Sequence, residues 1–150
     1  MNKYQLISLG EPNGFKVQIL KMFKERISEL GIPLNLIEYI DSSNFETVYK
    51  SNLPTVVLYF GDLVAPTKPN EELNSTLADS ALIIPIVSNL EEFSNQVPPG
   101  LRGINGFELS SSNRIEQLIS CVLEGFNLLR HSRRIFISCK IRLKAAGRFG

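Results

Sequence analysis

Acidic and glycine residues placed beside predicted strand ends are where this chain could do chemistry. Gly10-Glu11-Pro12-Asn13-Gly14 closes a short apolar run and precedes a helical pattern. A loop that ends a strand and opens a helix is where α/β folds take ligands. Gly10, Glu11, Asn13 and Gly14 are therefore candidate ligand-binding residues, although Glu11 would repel a phosphate there. The competing reading of the same stretch is a plain strand-to-helix turn. Asp62 lies just past the third predicted strand and is a further binding candidate. Glu71 and Glu72 could serve as catalytic carboxylates. They also fall in the first turn of a predicted helix, where the dipole alone favours negative charge.

Other chemistries lack their parts. The single histidine, His131, sits among arginines after the last predicted helix. A Ser–His–acid triad would have to use it, and nothing in the sequence converges on it. Cys121 falls mid-helix beside an apolar stripe and reads as core filler. Cys139 has basic neighbours that could lower its pKa, but no partner base is in view. The two cysteines give neither a disulfide framework nor metal spacing. No phosphate loop and no dinucleotide fingerprint is present. Gly100, Gly103 and Gly106 follow Pro98-Pro99 and lead into a strand, which is loop chemistry. The reading assigns no catalytic residue, no metal and no cofactor.

Alternating elements must position the candidates. Tyr4–Leu9 is a short apolar strand stopped by Gly10. Phe15–Leu30 is a helix, with Leu20, Phe23, Ile27 and Leu30 at helical spacing, Ile19 widening the stripe and Gly31 ending it. Leu34–Ile40 reads as a second strand after Pro33, with a short helix through Phe45–Lys50. Thr55–Phe60 is the clearest strand, β-branched and aromatic without a charge. Such a run suits the centre of a parallel sheet covered on both faces. Asn70 caps a helix reaching about Asp79. Ala81–Val87 is a fourth strand, with Pro85 awkward in a central position. A helical turn is expected at Glu91–Ser94 and a weak fifth strand at Ile104–Leu109. The helix from Asn113 to about Leu129 opens with Asn113 and Glu116 at capping-box spacing. This alternation predicts an α/β three-layer sandwich with a mainly parallel, five-stranded, flavodoxin-like sheet.

A chain of 150 residues suffices for one domain with a core of its own. Charge divides it unevenly. Residues 1–129 hold nine Lys/Arg against fifteen Asp/Glu, a net of −6, whereas residues 130–150 hold seven basic residues and no acidic one, a net of +7. The acidic bulk argues against nucleic acid as partner of the first segment. The basic one reads as a linker followed by a strand at Arg134-Ile135-Phe136-Ile137-Ser138. No apolar run approaches the ~20 residues of a membrane helix. The N-terminus is unlike a signal peptide. A cytoplasmic setting without membrane association is the expectation.

Two family resemblances bear on function. Asp62 invites comparison with two-component receiver domains, whose phosphoacceptor needs an acidic pair after the first strand and a lysine after the fifth. This chain offers only Glu11 and, after Leu109, a run of serines. The second resemblance is broader. Arg133-Arg134-Ile135-Phe136-Ile137-Ser138 looks like the opening strand of a TIR (Toll/interleukin-1 receptor) domain, with Cys139 where the family usually has Tyr. Ser80–Val87 resembles a later strand of that family. Val97-Pro98-Pro99-Gly100-Leu101-Arg102-Gly103-Ile104, then Phe107-Glu108-Leu109 and a long helix, is similar to the end of many bacterial TIR domains.

The resemblance implies a TIR-like α/β domain over residues 1–129 and, over 130–150, a basic linker with the truncated start of a second TIR domain. It implies bacterial signal transduction, often antiphage defence in which the effector depletes NAD, and a protein partner or self-association. Active members cleave NAD through a glutamate in a conserved helix context. Neither Glu71 nor Glu72 aligns to that context residue by residue, so no catalytic residue is carried over. The expectation is a non-catalytic sensing or partner-binding module. The alternative is an α/β enzyme that hydrolyses NAD or a nucleoside with Glu71 or Glu72.

Overall fold

A computed structural model of the chain describes residues 3–10, 15–61, 70–101, 103–109 and 111–128. Glu11, Asn13, Gly14, Asp62, His131, Cys139 and the strand expected at Arg134–Ser138 lie outside the described residues.

Among the described residues, five strands alternate with helices: β1 (Tyr4–Gly10), α1 (Phe15–Glu29), β2 (Ile37–Ile40), α2 (Phe45–Val48), β3 (Thr55–Phe60), α3 (Glu71–Ala78), β4 (Leu82–Val87), α4 (Phe93–Gln96), β5 (Phe107–Glu108) and α5 (Ile115–Gly125). All strand pairs are parallel, in the order β2-β1-β3-β4-β5. This is the doubly wound α/β sandwich that the alternation predicts.

Successive strand residues point to opposite faces, and both faces are covered. On one, Leu6, Val56, Leu58, Phe60, Ile84, Ile86 and Phe107 pack with Ile19, Phe23 and Ile27 of α1 and with Leu118, Ile119 and Val122 of α5. On the other, Ile7, Leu9, Val57, Tyr59, Ile83 and Val87 pack with Phe45 of α2, Leu73 of α3 and Phe93 of α4. Two-sided burial is why β3 carries no polar residue after Thr55. The buried amide of Gln5 is satisfied: its Nε2 donates to Lys50 O at 2.8 Å and Thr55 Oγ1 at 2.7 Å, and its Oε1 accepts from Lys50 N at 2.8 Å. These bonds fix β1 to the connection between α2 and β3.

Several boundaries differ from the sequence reading, each for a local reason. Leu34–Leu36 is a 3₁₀ turn rather than the start of β2. Leu36 N–H donates to Pro33 O at 3.1 Å, so the backbone is closed on itself before it can join β1. Leu30, assigned to the apolar face of α1, lies past the helix end and is exposed. The fifth strand shrinks to Phe107–Glu108, because only Ile86 and Val87 of β4 offer it partners. The Asn113 capping box does not form. Asn113 Oδ1 accepts from Ser111 Oγ, and α5 begins after a 3₁₀ turn without a side-chain cap. The cap at Asn70 is present, with Oδ1 accepting from Leu73 N at 2.9 Å.

Pro85 is tolerated inside β4 for a topological reason. Ile86 O faces β3, where it accepts from Gly61 N, and Val87 O faces β5, where it accepts from Leu109 N. Backbone groups alternate sides along a strand, so the N–H that proline lacks would also face β5. β5 starts only at the Ile86–Phe107 pair, so no ladder bond is lost.

Helices α1, α3 and α5 end alike. Gly31, Ser80 and Asn127 have φ of 76°, 60° and 61°. Behind each, paired backbone bonds close the turn: Gly31 N to Ser28 O with Ile32 N to Ile27 O, Ser80 N to Leu77 O with Ala81 N to Thr76 O, and Asn127 N to Glu124 O with Leu128 N to Leu123 O. These are Schellman ends, whose left-handed residue is cheapest as glycine. Ser80→Gly is expected to stabilise the fold by about 1 kcal/mol, raising Tm by roughly 2–4 °C. Differential scanning calorimetry reads this directly, and an unchanged or lower Tm would count against the cap.

Candidate functional site

The chain passes from β1 to β2 on one side of the sheet, then returns across β1 to β3. The reversal falls between β1 and β3, and the carboxyl ends of strands at such a switch point are the general ligand position of open α/β sheets. Gly10 and Phe60 are register partners at that end. The segments that follow β1 and β3 therefore start side by side.

Gly10 has a structural account of its own. Its φ is +86°, and a Cβ there would lie 2.3 Å from Phe60 O. Only glycine fits so close to the neighbouring backbone. Gly61 is similarly confined: a Cβ would meet Gln96 O at 2.8 Å, and its N–H donates to Ile86 O at 2.8 Å. Buried Gln96 accepts from Ser88 N at 3.3 Å and donates to Ser88 Oγ at 3.2 Å, holding the end of β4 against α4.

Polar groups gather where β2 ends. Asp41 Oδ1 accepts from Ser43 N at 2.9 Å and from Ser43 Oγ at 2.5 Å, and Asp41 N donates to Asn44 Oδ1 at 2.8 Å. Lys16 Nζ, in the first turn of α1, stands 3.7 Å from Asp41 Oδ2. Hydrogen bonds from the Ser43 side chain and backbone hold the Asp41 carboxyl below its usual range against the opposing effect of burial, with a lesser contribution from the Lys16 charge. Ser42 Oγ donates to Glu72 Oε1 at 2.8 Å, linking the turn after β2 to the start of α3. Glu72 is half-buried by this contact, whereas Glu71 beside it is exposed.

Of the sequence candidates, the structure places Gly10 at the carboxyl end of β1, opposite Phe60, and Glu72 in contact with Ser42. Lys16, Asp41 and Ser42 were not singled out from sequence. Asp41-Ser42-Ser43-Asn44 did carry a signal, since such residues bond their own backbone in turns. What brings Lys16 and Glu72 to that turn is tertiary packing. Cys121 is 1% exposed in the core, in keeping with its place beside the apolar stripe. Among the described residues, no three His, Cys, Asp or Glu side chains could together hold a metal ion. Among them, too, no helix is long and apolar enough to cross a membrane.

No family model, curated protein or solved structure matches the chain. The TIR resemblance thus stands on the residues quoted for it.

Proposed function

We propose that residues 1–129 form a non-catalytic sensing or partner-binding module of a bacterial TIR-type signalling protein, acting through a protein partner or further copies of itself. One observation supports the non-catalytic part: among the described residues at the carboxyl edge, Asp41, Asn44, Asn70 and Glu72 each have a local partner. Asp41 is held by Ser43 and Lys16, Asn44 by the Asp41 backbone, Asn70 by the start of α3, and Glu72 by Ser42. Bonds of this kind set the shape of turns and helix starts. They fix a surface rather than aim an acid and a base at a common point.

The signalling part is supported by the TIR resemblance of Ser80–Val87 and Val97–Leu109, and the all-parallel doubly wound sheet is the architecture that the resemblance implies. Antiphage defence and NAD depletion by a downstream effector follow from the resemblance alone. Light scattering of the purified chain over a wide concentration range tests the self-association arm. The expected result is a mass that rises above that of one chain. A constant single-chain mass would leave only a heterologous partner.

A second reading has its own support. Glu72 lies in the first turn of α3, with Ser42, which follows the carboxyl end of β2, as a hydroxyl donor at 2.8 Å. A carboxylate so placed could assist hydrolysis of NAD or a nucleoside as a general base. Turnover that survives in the Glu71→Gln/Glu72→Gln double variant would remove this reading.

A further inference from the structure

We draw no further inference here: the strongest candidate, the side-chain cluster of Lys16, Asp41, Ser42 and Glu72 at the carboxyl edge of the sheet, belongs to the site already described, and no second feature there points to a ligand.

Discussion

Gly10→Ala is expected to destabilise the domain by about 3–5 kcal/mol, combining the cost of a left-handed alanine with steric overpacking. The φ of +86° accounts for the first part, and the 2.3 Å approach of a Cβ to Phe60 O for the second. The obstructing atom is backbone, held in the β1–β3 ladder at its last register pair. It cannot rotate away as a side chain would, so relief requires parting the two strands at their carboxyl ends. Gly31→Ala separates the two contributions. Its φ is +76°, but a Cβ there meets nothing within 4 Å. That variant should lose only about 1 kcal/mol. Denaturant midpoints at an unchanged m-value measure both. Equal losses for the two variants would contradict the close approach at Gly10.

Phe23→Ala is expected to cost about 3–5 kcal/mol. Phe23 is 0% exposed, packed in the core shared by α1 and the sheet, and meets the Tyr39 ring edge-on at a centroid distance of 6.3 Å. Removing it opens a cavity under α1 and strips one side of Tyr39, whose hydroxyl is buried without a hydrogen-bond partner. Burial pushes that phenol up to about 12. Val17→Ala, on the same helix but 76% exposed, is the control. It should change stability by less than about 0.5 kcal/mol. A similar loss in both variants would mean that α1 does not bury the face described.

Most of the architecture was legible because two-sided burial writes itself plainly. Tyr4–Leu9 and Thr55–Phe60 are continuous apolar runs, and α1 has its apolar stripe at Ile19, Phe23 and Ile27. Asn70 also announced its cap correctly. The misreadings arose where an apolar pattern lacked a neighbour to complete it. Leu34–Leu36 look strand-like, yet the register of β1 with β2 begins at Tyr4 and Ile37. Ile104 and Asn105 have no ladder partner, since β5 pairs only with Ile86 and Val87. At Asn113, a nearby serine captured the side chain that would have capped α5. The left-handed end at Ser80 left no mark, because serine is not a usual residue there, whereas Asn127 is of the type that takes this position most readily after glycine.

The site was less legible than the fold. Gly10 and Glu72 could be selected as residues beside strand and helix ends. Lys16, Asp41 and Ser42 could not, because their meeting depends on which strands are neighbours. The order β2-β1-β3 places the turn after β2 beside the start of β1's helix, and Ser42 then reaches the start of α3. Pairing of that kind lives in the sheet order and not in any local spacing.

The most direct test of the proposed function is release of nicotinamide from NAD, and of free base from nucleosides, by the purified chain. The account predicts no product above a protein-free blank. Release that the parent chain sustains and that Glu72→Gln abolishes, with Tm unchanged, would contradict it and make the carboxyl edge a hydrolytic site.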